Sequence, residues 1–324
     1  MNLRIAVRSE ALEHNVLRPV HKILGGKYAV LSNNRADTII PMTRILARTR
    51  SRLLLALALF TFTSAHAQTW HLVWSDEFNG PANSLPSESD WNFVRGWGPR
   101  GNHEIQFYCL PTDNDGPCYS KTHPNLAEDG NGNLVLTAIH DGQLWSSARL
   151  NTAGKHTILY GRVEARLRME PGAGFWPAFW LLGGDHETAR WPDCGEQDII
   201  EWVQKYGPSA TSSTVHGPGY SGGKGISRTF TFPDGGRIDD GKFHTYGMTW
   251  SPNRMEFYRD DPSKPFSVVT PADLPPNTKW VFDHPFYVIL NFAIGEAGFP
   301  GSIDSTTPTT GRLWVDYVRF YQQQ

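Results

Sequence analysis

Between Tyr160 and Met169 apolar and charged positions alternate, with Val163, Ala165, Leu167 and Met169 interleaved with Arg162, Glu164, Arg166 and Arg168. A period of two is the signature of a strand with one face in a core and the other toward water. Leu134–His140, Phe243–Trp250, Met255–Arg259, Phe286–Ile294 and Leu313–Tyr321 read as further strands, separated by turn-forming clusters such as Asp129–Asn133 and Pro233–Gly236. No amphipathic helix of useful length is found, and no internal repeat. The pattern predicts an all-β domain from Gln68 to Gln324, a jelly-roll sandwich of two antiparallel sheets packed face to face. The surplus length falls in Pro99–Leu126, His186–Asp193, Tyr206–Ile226 and Glu296–Gly311, read as loops that wall a cleft along one rim.

Residues 1–41 show no period. After Met42 come Arg44, Arg48, Arg50 and Arg52, an apolar run from Leu53 to Phe62, and the small-residue exit Ala65, His66, Ala67. That order describes a signal peptide over residues 42–67, cleaved after Ala67. Met42 is then the natural start, and residues 1–41 an upstream extension. The apolar run falls well short of the roughly 20 residues a bilayer span requires, so a membrane anchor is the weaker reading. A secreted or periplasmic protein, with no membrane attachment after cleavage, is expected. Export permits disulfides, and Cys109 and Cys118 bracket the turn-rich LPTDNDGP, which makes them the expected pair. Cys194 is read as a small buried hydrophobe.

A formal charge of −2 over 324 residues gives no basis for binding nucleic acid. The 12 tryptophans exceed what a core ordinarily needs, and exposed indoles are stacking platforms for sugars. Of the 12 histidines, His140, His156, His244 and His284 lie far apart, and no pair shows zinc spacing.

One stretch breaks the apolar strand pattern: Gly195–Trp202, reading GEQDIIEW. Glu196 and Asp198 share a face, but a regular strand would send Glu201 to the other one. A β-bulge at Ile199 and Ile200 would restore Glu201 to the side of Asp198. Neighbouring carboxylates with buried flanks (Trp191, Pro192, Cys194, Trp202) are costly to fold unless protons are shared. They suit retaining glycoside hydrolysis, in which one ionised carboxylate attacks and a second, roughly 5 to 5.5 Å away, is kept protonated as acid. Asp198 would hold the two apart in pKa.

WPDCGEQDIIEW is similar to the catalytic strand of glycoside hydrolase family 16, in its laminarinase-like branch with the bulged ExDxxE pattern. DEFNG, GFWPAFWLLG, WVFDHPFYVILNFAIG and VDYVRFY recur in that branch in the same order, so the resemblance spans Trp70–Gln322. Gln197 departs from it, standing where an aliphatic residue is usual; its side chain should face away from the cleft. The resemblance implies a concave sheet, Glu196 as nucleophile, Glu201 as acid/base and Asp198 as their modulator. It makes Trp176, Trp180 and Trp191 sugar-stacking rings, with Asn102, Arg149 and His216 as polar contacts to a polysaccharide. It further implies a structural Ca²⁺ on the convex side, held by oxygens of Glu77, Gly132 and Asp316, with no organic cofactor. Alone, Asp316 is a carboxylate sharing a strand face with Trp314, Val318 and Phe320. A monomeric endo-β-1,3-glucanase is the implied activity. Mixed-linkage glucan or an algal galactan is the alternative substrate, and a non-catalytic glucan-binding module the alternative class.

Overall fold

The computed structural model describes residues 69–110, 112–118 and 124–324. The segments read as an upstream extension and a signal peptide lie outside them. Among the described residues helix is limited to short 3₁₀ turns, and no helix is long and apolar enough to cross a membrane. The strands form two sheets, as the alternating pattern requires.

The larger sheet runs in the order Ser267–Val269, Arg254–Arg259, His244–Ser251, Gly161–Met169, Thr310–Gln323, Leu134–His140, Trp145–Ser147, Phe107–Tyr108 and Gly96–Trp97, with Trp70–Asp76 and Leu126–Glu128 joining at its flank. The smaller one orders Ile226–Thr231, Ala210–His216, Glu196–Glu201, Phe175–Gly183, Phe286–Ile294, Arg149–Asn151 and Asn92–Phe93. Pairing is antiparallel except between Phe107–Tyr108 and Trp145–Ser147, which run parallel. The inner faces meet in one apolar cluster, where Leu134, Val163, Leu167 and Val315 of the first sheet pack with Phe179, Ile199, Val288 and Leu290 of the second. This is the jelly-roll sandwich, with both sheets contributing alternate residues to the layer between them.

One strand lies inside the segment read as a loop from Tyr206 to Ile226, and another starts at its end. Ala210–His216 reads ATSSTVH and is buried along its whole length. Short hydroxyl side chains supply neither alternation nor bulk, so its strand character is invisible to a hydrophobic pattern and comes from pairing on both edges. The outer face of Gly161–Met169 carries its charges against rings: the Arg168 guanidinium lies 3.9 Å over Trp314 and that of Arg162 4.1 Å over Tyr321. The last strand bulges at Asp316, since Val315 pairs with Leu167 and Tyr317 with Arg166. The bulge leaves Asp316 facing outward with Trp314, as expected, but turns Val318 and Phe320, expected on the same face, into the core.

Where the strand His244–Ser251 begins, His244 sits between two carboxylates, its Nδ1 2.8 Å from Asp260 and its Nε2 3.1 Å from Asp240. The hydrogen bond to Asp260 raises its pKa above the ordinary value, against burial and the nearby Arg259. A raised folded-state pKa means stability fully present below about pH 6.5 and lost as pH rises through the folded value. His244→Gln should therefore lower Tm by about 1–4 °C at pH 5.5 and by much less at pH 9. Equal losses at both pH values in a thermal melt would show that the ion pairs contribute nothing.

Candidate active site

The acidic strand begins at a position only glycine fills easily. Gly195 has φ +74°, and a Cβ there would come within 3.0–3.2 Å of Phe286, Val281 and Phe282. From Glu196 the strand pairs on both edges, with Leu182 and His216 opposite Glu196 and Trp180 and Thr214 opposite Asp198. The register then slips. Glu201 faces Ser212, so three residues on this strand span two on its neighbour, and the bulge lies at Ile199 and Ile200. Both isoleucines are buried, while Glu196, Asp198 and Glu201 converge on the cleft side. Gln197 points into the layer between the sheets, its amide buried without a hydrogen-bond partner in the structure.

The acids are not equivalent. The Asp198 side chain is 4% exposed, whereas that of Glu196 is 18% exposed and open to the cleft. His216 Nε2 stands 3.2 Å from Asp198 Oδ2 and 3.7 Å from Glu196 Oε1. Gly225 makes room for that imidazole, since a Cβ there would lie 2.4 Å from its Cε1. Trp176 donates its indole N–H to Glu201 Oε1 at 2.8 Å, leaving the other oxygen to carry a proton. Burial raises all three pKa values, and repulsion from neighbouring acids adds to it at Glu196 and Asp198, both of which stand well above their ordinary values. His216 and Arg149 pull Glu196 back toward its ionised form, and the Trp176 hydrogen bond moderates Glu201. Their titrations are therefore linked, and a proton shared among them is favoured over three separate charges. The ligand atoms of Glu196, Asp198 and His216 also lie within 4.8 Å of one another, so a divalent cation could compete for this place.

Trp176 and Trp180, four residues apart on a regular strand, both face the cleft. Trp180 donates to Asn291 Oδ1 at 2.7 Å and carries the Arg149 guanidinium 4.9 Å from its ring centroid. Behind them runs a buried relay absent from the sequence reading: Asn291 Nδ2 donates to Tyr108 OH at 3.3 Å, and Tyr108 OH to Glu104 Oε2 at 2.9 Å. Glu104 also accepts from Gln106 Nε2 and, at 2.9 Å, from Asn102 Nδ2. Asn102 is thus tied into the wall. Burial raises the Glu104 pKa, opposed in part by the hydrogen bonds from Gln106 and Tyr108. An acid inside GNHEIQFY was the available signal, since a charge flanked by Ile105 and Phe107 needs partners. Trp191 stands 48% exposed at the rim, its ring 6.3 Å from that of His216.

Outside the cleft, Cys109 and Cys118 form a disulfide. Cys194 is free and buried, and burial pushes its thiol up to about 11, so it is a packing residue without nucleophilic character. The carboxylates expected around calcium are otherwise engaged. Both oxygens of Glu77 accept from Arg319, at 2.8 and 2.7 Å, and the guanidinium holds the carboxyl below its usual range. Asp316 pairs with Arg166. Two neutralised carboxylates do not fit a side-chain cage for Ca²⁺, which needs free oxygen donors.

The family model for glycosyl hydrolases family 16 matches residues 115–319. The chain belongs to that family. It is a glycoside hydrolase. The chain is 36% identical to a beta-glucanase of Rhodothermus marinus, over 80% of this chain and 87% of that one. It is 35% identical to a glucan endo-1,3-beta-glucosidase of Cryptopygus antarcticus, over 82% and 96%. Its fold is similar to the endo-beta-1,3-glucanase of Pyrococcus furiosus, with a TM-score of 0.68 at 36% identity over 80% and 97% of the two chains.

A folded-state pKa raised in a carboxylic acid means stability is greatest below the unfolded value and falls as pH rises toward the folded one. Asp198→Asn removes the most buried charge of this family 16 site. Its Tm should exceed wild type by about 3 °C at pH 8, with the gap closing near pH 4, while activity falls sharply. A gap independent of pH would contradict the shared-proton description.

Proposed function

We propose that the chain is a secreted endo-acting β-1,3-glucanase that hydrolyses with retention of configuration. The observation that carries this reading is the bulge at Ile199 and Ile200, which sets Glu196 and Glu201 on one face with Asp198 between them. Glu196, drawn toward ionisation by His216 and Arg149, attacks the anomeric carbon. Glu201 gives its proton to the departing glycosidic oxygen, and the sugar is left as an ester on Glu196. Glu201, now a carboxylate, then takes a proton from water, which attacks the anomeric carbon and frees Glu196. Asp198 keeps a proton in the trio and hydrogen-bonds whichever neighbour is charged. No cofactor enters either step. Trp176 and Trp180 offer apolar faces to the CH-rich sides of glucose rings, and Arg149 and Asn291 border them with polar groups.

The names of the relatives support β-1,3-glucan as substrate. Secretion rests on the signal-like segment at residues 42–67, and the Cys109–Cys118 bridge suits an oxidising compartment. Turnover of laminarin, lichenan and agarose by the purified protein separates the substrates. Glu196→Ala should reduce laminarin hydrolysis to background while folding and glucan binding persist; near-normal turnover would remove Glu196 as nucleophile. Glu201→Ala should lose about 10²- to 10⁴-fold on polysaccharide, much less on a substrate with an activated leaving group, and should recover with azide. An azide-insensitive variant would count against Glu201 as acid/base.

Proton NMR in the first minutes of hydrolysis tests the mechanism. Two displacements at one carbon return the β-anomer first. Early α-anomer would overturn retention, and glucose as the sole early product would overturn endo action.

A further inference from the structure

Next to the acids, beside Trp176, the cleft carries a second set of rings, one of them on a loop tied to His103 between the relay residues Asn102 and Glu104. Across the smaller sheet the strands of Arg149, Asn291 and Trp180 lie on one side of Glu196–Glu201, and Ala210–His216 and Ile226–Thr231 on the other. Tyr206, one 3₁₀ turn after the catalytic strand, has its hydroxyl beside Ser212 and Ser227, one on each of those two strands. Phe299 meets it from the loop after Phe286–Ile294, with ring centroids 6.4 Å apart. Phe299 also lies 5.2 Å from Trp176, the residue that donates to Glu201, and Lys205 Nζ stands 4.1 Å over the Phe299 ring.

The loop is held at both ends. Glu296 bridges to Ser302, whose hydroxyl donates to the Glu296 carbonyl at 2.6 Å, and the Glu296 N–H donates to the carbonyl of His103 at 3.1 Å. Phe299 is nevertheless left half-exposed, next to an exposed lysine. A ring fixed in advance and open to solvent offers stacking area at little cost in entropy, and an ammonium offers three donors to sugar hydroxyls.

We propose that Phe299, Tyr206 and Lys205 form the subsite for the glucosyl unit on the leaving-group side of the cleaved bond. The assignment rests on Glu201 as the acid, because the sugar beyond the acid is the one that departs. A residue that merely buttresses Trp176 would affect every substrate alike. A leaving-group subsite affects only substrates that carry a sugar there.

Wild type, Phe299→Ala and Phe299→Leu are therefore compared on laminarin and on an aryl β-laminaribioside, whose leaving group is a phenol. Thermal melts confirm folding, and the leucine variant keeps most of the packing while losing the ring. Both variants should lower kcat/KM on laminarin about tenfold relative to the aryl substrate. Equal losses on the two substrates, or no loss on either, would overturn the subsite. A wild-type protein that cleaves neither would instead sink the glucanase reading, and the same ratio would then be measured between lichenan and its aryl glycoside.

Discussion

The structure depends on keeping three carboxylates together where water is scarce. Glu196, Asp198 and Glu201 are surrounded by Trp176, His216 and the buried isoleucines of the bulge. Desolvation and mutual repulsion would expel three full charges from such a place, so the site persists only with protons in residence. The surrounding sheet supplies that constraint: paired on both edges, the strand cannot swing its acids out to solvent without giving up its ladder. Stability and chemistry are opposed here, as at other functional sites, because the arrangement that costs folding energy is the one that separates a nucleophile from an acid.

Around this centre the fold divides its polar work by face. On the cleft side hydrogen bonds run inward, from Asn102 through Glu104, Tyr108 and Asn291 to Trp180, so that an indole otherwise free to rotate is fixed by a buried network. On the far side Arg319 holds Glu77 and Arg166 holds Asp316, and Arg162 and Arg168 lie on aromatic rings. Arginine can do both because its planar cation pairs with carboxylates and stacks on rings.

The two walls of the cleft are built differently. Trp176 and Trp180 stand on a strand inside the sheet, whereas Phe299 and Tyr206 stand on a loop and a single 3₁₀ turn. A rigid wall beside a loop-borne one allows the second to vary without disturbing the acids.

How much of this was legible in the chain follows from the range of each signal. Period-two alternation marked Gly161–Met169 and the jelly-roll class, because burial on one face writes itself into every second residue. The bulge was legible for the same reason: three acids in GEQDIIEW make sense on one face only if the register slips. The hydroxyl-rich strand Ala210–His216 was not, since pairing on both edges, rather than side-chain hydrophobicity, makes it a strand. Val318 and Phe320 were placed on the face of Asp316 because a bulge with no chemical marker shifts the register there. The partners of Glu77 and Asp316, the relay through Glu104, and the meeting of Phe299 with Tyr206 join residues up to 242 positions apart. The sequence by itself determined the sheet class and the acidic centre, both properties of local pattern. Which polar groups those acids and rings would find was decided by the tertiary structure alone, because long-range contacts have no period to read.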